Sequence, residues 1–177
     1  SPRGMALLPM GAMRRHAPAE EPEPPWPAPP AEPEGFMACI DGVLKAVGLR
    51  DPNAAFLAER AEEPGYTAVS SGLIYKVIRK GTGKQHPSAT SSCKCNFEGR
   101  LLNGKVFDAS ENPQTFEVGS VVKGWSEALQ LMVEGDKFEL ILPPALGYRD
   151  RDIKGESGEV LIPPNSILLF RMELLRI

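Results

Sequence analysis

Apolar and polar residues alternate from Gly72 to Lys80, with Leu73, Tyr75 and Val77 on one side of an extended chain and Ile74, Lys76 and Ile78 on the other. That period of two predicts a strand. Ser92 to Leu102 repeats it, placing Cys93, Cys95 and Phe97 on one face and Lys94, Asn96 and Glu98 on the other. Asn103-Gly104 is a hairpin signal, and Val106-Phe107 starts the returning strand. The period then changes. Trp125, Ala128, Leu129 and Met132 stand at i, i+3, i+4 and i+7, the stripe of an amphipathic helix over Trp125–Met132. Alternation returns in Lys137–Leu142 through Phe138, Leu140 and Leu142, and in Ser166–Ile177 through Leu168, Phe170, Met172 and Leu174. This order predicts an α+β fold in which an antiparallel sheet covers one helix.

Two shorter helical patterns precede these strands. Met37 to Val47 has apolar residues at Met37, Ile40, Val43, Leu44 and Val47, with Gly48 as a stop. Asp51-Pro52 supplies an N-cap and a first-turn proline for Ala54–Glu63, ahead of Pro64-Gly65. Helices this short need a surface to pack on, either the domain or a partner. Upstream the chain changes character. Ten of the eighteen prolines fall before Gly35, and Ala19–Glu34 is almost wholly Pro, Ala and Glu around a single Trp26. Such a segment has little apolar surface to bury internally. It reads as a spacer, or as a docking arm anchored by Trp26 that attaches the protein to a large assembly through residues 1–50. Three regions result: an extended arm over 1–35, a short helical segment over 36–70, and a domain over 71–177.

Composition narrows the chemistry. Lys+Arg 20 against Asp+Glu 23 leaves a net charge of −3, which gives no reason to expect nucleic acid. No apolar run approaches the ~20 residues of a membrane-spanning helix. Segment 1–16 holds Arg3, Arg14, Arg15 and His16 with no acid. It reads as the remnant of an organelle presequence, chloroplast or mitochondrion, or as the residue of a longer precursor, with a cytoplasmic site as the alternative. Cys93 and Cys95 point to the same face of a strand, a poor geometry for bridging each other. Buried free thiols are one reading, and a Cys39–Cys93 or Cys39–Cys95 disulfide is the other. His16 and His86 lack ligand-like spacing to the cysteines, so no metal site is expected. With only those two histidines, no nucleophile–base constellation is available either.

The phrases GLIYKVIRKGTG, NFEGRLLNGKVFDAS, TFEVGSVVKGWSEALQLMVEGDKFELILPP and IPPNSILLFRMELL, in this order, resemble the successive blocks of an FKBP-type peptidyl-prolyl cis/trans isomerase domain. The helix before the first strand resembles that of macrophage-infectivity-potentiator-like members. The resemblance implies a curved antiparallel sheet wrapped around one amphipathic helix, prolyl isomerisation assisting protein folding or assembly (a chaperone role), and no cofactor. It further implies proline-containing polypeptides as partners and macrolide immunosuppressants as ligands. It implies a shallow apolar pocket with Trp125 as floor, Phe107 and Phe170 as walls, and Val121 and Val122 as lip. Tyr148 would offer its hydroxyl and Ile162 its backbone N–H to peptide carbonyls. Asp108 would be the one buried-edge carboxylate, and Phe97 would complete the lining. Singly, Phe107, Phe170 and Trp125 read as core aromatics; the joint pattern carries the functional reading. The chain departs from the family pattern at Asn96 and Phe97, where a histidine and a tyrosine are usual, at Arg149, where glycine is usual, and in a long charged loop, Arg149–Glu159. These departures leave open a weakly active or inactive FKBP-fold subunit held in a larger complex by its arm.

Overall fold

A computed structural model describes residues 22–29 and 51–177 of the chain. The Met37–Val47 pattern, Cys39 and segment 1–16 lie outside the described residues. Among the described residues the elements are α1 (Pro52–Glu62), β1 (Tyr66–Ala68), β2 (Ile74–Arg79), β3 (Ser92–Leu101), β4 (Val106–Ala109), β5 (Gln114–Glu117), a 3-10 turn (Val118–Ser120), α2 (Lys123–Leu131), β6 (Lys137–Leu142), a second 3-10 turn (Pro144–Leu146), β7 (Ile153–Lys154), β8 (Val160–Ile162) and β9 (Leu168–Arg176). The main sheet runs β1-β2-β6-β9-β3-β4, every pairing antiparallel, with β5 pairing the first half of β3 and β4 its second half.

Side-chain alternation gives this sheet two distinct faces. The inner face carries Leu73, Cys93, Cys95, Phe97, Phe138, Leu140, Leu142, Leu168, Phe170, Met172 and Leu174, packed with Trp125, Ala128, Leu129 and Met132 of α2 into one core. Gly124 lets the helix settle: a Cβ there would lie 2.4 Å from Leu142 Cγ. The outer face carries a second, smaller core of Ile74, Ile141, Ile167 and Leu169, covered by Phe56 of α1 and by Trp26. The chain reaches α1 through the cap read from sequence, with Asp51 Oδ1 accepting from Asn53 N at 3.0 Å.

Three expectations need correction. The sheet begins at Tyr66–Ala68, ahead of Ser71, so the domain reaches back into the supposed helical segment. Three residues with two of them exposed give no alternation to read. The long Arg149–Glu159 loop contains part of a hairpin, with Ile153 opposite Ile162 and Lys154 opposite Val160. Third, the proline-rich arm does find something to bind internally. Trp26 packs on the outer core of its own domain, where Arg100 and Arg171 lie 4.5 and 4.3 Å from its ring centre.

Cys93 and Cys95 are free, buried thiols. Burial pushes both thiols up, Cys95 to about 12 with a smaller contribution from Cys93. An unfolded cysteine ionises near pH ~8.5. The buried thiols therefore contribute stability that is fully present below about pH 8.5 and is lost as pH rises towards 12. We predict that Cys95→Ala flattens the alkaline limb of a stability–pH curve measured by urea unfolding. An unchanged slope would mean that Cys95 ionises freely in the folded protein.

Candidate active site

The cleft lies at the inner face of the sheet, beside the start of α2. Trp125, the third residue of α2, is 5% exposed and packs edge-on against three rings. Its ring centre lies 5.0 Å from Phe97, 5.2 Å from Phe116 and 5.2 Å from Phe170, with interplanar angles of 74–87°. Phe107 stands at 90° to Phe170 at 5.4 Å. Together with Asp108, Ser120, Val121, Val122 and Tyr148, these rings line a cavity of about 300 Å³. Among the described residues the Trp125 indole N–H is buried with no hydrogen-bond acceptor. Edge-on aromatic neighbours leave it weak π contacts at best.

Local irregularities aim these side chains. In the β3–β4 pairing Gly99 faces Asp108 and Arg100 faces Val106, so Phe107 is the extra residue of a bulge. A bulge re-aims its side chain, and the glycine beneath makes room. A Cβ on Gly99 would fall 2.6 Å from Phe107 Cζ and 2.7 Å from Phe170 Cε1. Val122 is the N-cap of α2, its carbonyl accepting from Trp125 N and Ser126 N at 3.0 Å each. Arg149 has φ 58°, which explains why glycine suits the position after Tyr148. The turn is tied by Arg149 N donating to Pro144 O and by Asn165 N donating to Arg149 O.

Of the residues singled out from sequence, Phe97, Phe107, Asp108, Val121, Val122, Trp125, Tyr148 and Phe170 come together around this cavity. Ile162, singled out for its backbone N–H, does not contribute its side chain to this lining. Its side chain is 3% exposed within the core, opposite Ile153. Asp108 is exposed rather than buried at an edge. Phe116, Ser120 and Gly99 were missed. Phe116 sits in a strand too short for a clear period, and it faces inward because its register partner is Cys93. The Tyr148 hydroxyl is held above its ordinary pKa, first by burial and then by the Asp108 charge. It therefore remains a donor well into alkaline pH. Among the described residues no cluster of three metal-ligating side chains occurs, and no helix is long and apolar enough to cross a membrane.

An aromatic cleft held between one helix and a curved antiparallel sheet defines a class. The family profile of FKBP-type peptidyl-prolyl cis-trans isomerases matches residues 83–175. The macrophage infectivity potentiator of Trypanosoma cruzi is 41% identical over 157 residues, covering 80% of this chain and 78% of that protein. The peptidyl-prolyl cis-trans isomerase Mip of Coxiella burnetii is 38% identical over 130 residues, 72% of this chain. Only 54% of the Coxiella protein's own length is covered. The crystal structure of a peptidyl-prolyl cis-trans isomerase from Pseudomonas syringae superposes with a TM-score of 0.64 at 33% identity, over 77% of this chain and 93% of that one. The chain belongs to the FKBP-type peptidyl-prolyl cis-trans isomerases.

Proposed function

We propose that this cleft isomerises prolyl bonds in proline-containing polypeptides, with Trp125 as floor, Phe107, Phe170, Phe97 and Phe116 as walls, and Val121 and Val122 as lip. The observation that carries this reading is the ring of aromatics closed around Trp125, a slot for a proline ring. The chemistry needs no acid–base pair. A planar prolyl amide resists rotation by roughly 18–20 kcal/mol because its C–N bond has partial double-bond character. Twisting removes the charge-separated resonance form, so the twisted amide is less dipolar than the planar one. An apolar wall disfavours the planar state more than the twisted state, and that difference lowers the barrier. The Tyr148 hydroxyl is the donor placed to hold a flanking peptide carbonyl. Asp108, exposed at the rim, adds a negative potential there. In the cell the same activity assists protein folding or assembly. The test is protease-coupled isomerisation of a short Xaa-Pro peptide; a folded protein with no rate above the uncatalysed one would refute the proposal.

Phe97 separates this cleft from those that carry a tyrosine at that place. We predict that Phe97→Tyr gives equal or higher isomerase activity, because the added hydroxyl can donate to the Asp108 carboxylate across the same cleft, worth about 0.5–3 kcal/mol. A clear loss of activity in a folded variant would show a pocket rebuilt around the phenylalanine.

A further inference from the structure

The groove on the outer face of the sheet, opposite the aromatic cleft, carries Lys137 and three arginines, Arg60, Arg100 and Arg171, which are paired with Glu63, Glu98 and Glu139. Arg171 of β9 is its centre. Its Nε and Nη2 both donate to Glu139 Oε2, at 2.9 and 2.8 Å, and Tyr66 donates its hydroxyl to Glu139 Oε1 at 2.5 Å. That buried carboxylate fixes the guanidinium before anything binds. The remaining donors turn to the arm: Nη1 to Glu23 Oε2 at 3.2 Å and Nη2 to the Pro24 carbonyl. Lys137 Nζ pairs with Glu23 Oε1, and Arg60 Nη2 donates to the Ala28 carbonyl at 3.2 Å. Arg100 and Arg171 both sit within cation–π range of the Trp26 ring.

The segment that fills this groove is its chemical complement. Pro22, Pro24, Pro25, Pro27 and Pro29 have no N–H, so the segment presents mainly carbonyls and one carboxylate to a wall of donors. Its prolines also restrict the unbound chain, which lowers the ordering cost of docking. Trp26 supplies the anchor, packed against the outer core, and the next residue, Pro27, is buried. We propose that this outer groove is a second polypeptide-binding site, separate from the isomerase cleft, that recognises a proline-rich segment carrying an acid three residues before a tryptophan. Its resident ligand is the chain's own Pro22–Pro29, held in cis and exchangeable.

The test uses the full chain with the resident ligand disabled, Glu23→Gln with Trp26→Ala, and a fluorescein-labelled peptide of residues 20–31 as probe. Anisotropy titration is expected to show the peptide binding the double variant at least about tenfold more tightly than the wild-type chain, where the cis segment competes at a millimolar effective concentration. Adding Arg100→Ala to the double variant is expected to weaken the peptide by about tenfold, as is alanine at the Trp26 position of the peptide. Equal binding to wild type and double variant, or binding to neither, overturns the proposal. A wild-type dimer in sedimentation velocity that Trp26→Ala converts to monomer would place a second copy's arm in the groove and overturn the cis assignment. If the double variant does not fold, 5-fluorotryptophan in the wild-type chain serves instead. The Trp26 resonance, assigned by its absence from Trp26→Phe, is expected to shift on adding millimolar peptide, and an unmoved resonance overturns the proposal.

Discussion

Replacing Trp125 by leucine is expected to lower kcat/KM for prolyl isomerisation by one to two orders of magnitude in a protein that still folds. The indole closes the cleft from below and stands edge-on to Phe97, Phe116 and Phe170. Each such pair contributes about 0.5–1.5 kcal/mol beyond the area it buries. Leucine keeps an apolar surface but cannot hold the three rings apart or provide a flat floor for a proline ring. Each ~1.4 kcal/mol lost from transition-state fit is a factor of ten in rate. Because the ring is also part of the core, truncation to alanine would cost about 3–5 kcal/mol of stability, which would confound the readout. The measurement is protease-coupled isomerisation alongside urea unfolding of the leucine variant. Wild-type kcat/KM in a folded Trp125→Leu protein would remove Trp125 from the site.

Arg171→Met is expected to be the most destabilising change on the outer face, by about 3–5 kcal/mol in urea unfolding. The Glu139 side chain is 1% exposed and that of Arg171 8%. Removing the arginine leaves a buried carboxylate whose one remaining partner among the described residues is the Tyr66 hydroxyl, and it removes two polar contacts of the arm. Desolvation of two charges makes a buried pair a weak source of stability in itself, but an unpaired buried charge is costly. Glu139→Leu combined with Arg171→Met should therefore recover much of the loss. A single-variant loss below about 1 kcal/mol would show that water reaches Glu139 once the arm is gone. Arg171, with Lys137, Arg60 and the Trp26 packing, couples arm and domain, and deletion of residues 1–34 is expected to lower stability.

Much of the inner face was legible because it obeys one rule. Cys93, Cys95 and Phe97 in β3 alternate with polar neighbours, and the same period runs through Phe138, Leu140 and Leu142 in β6 and Phe170, Met172 and Leu174 in β9, although Ile141 and Leu169 between them are also buried. The helix followed from the spacing of Trp125, Ala128, Leu129 and Met132. The cleft residues were reached by resemblance, since nothing in the period distinguishes Phe107 from another core ring. Period could not show that a bulge lifts Phe107 over Gly99, that Phe116 turns inward opposite Cys93, or that Ile162 buries its side chain in the inner core.

The sequence by itself determined the α+β class and the inner core, because these depend on residue type and on spacing within one element. The fate of the outer face was decided only by tertiary structure. Ile74, Ile141 and the pair Ile167 and Leu169 come from three segments of the chain, and each stands beside the apolar residues of the inner face. Sheet register brings Ile74 beside Ile141 and Ile141 beside Leu169, and the patch so formed must be covered. Phe56 and Trp26 cover it, from a helix and an arm that local pattern had no means of attaching to this domain. Contacts between residues distant in sequence are invisible to a periodicity, because the energy that selects them exists only once the sheet has assembled.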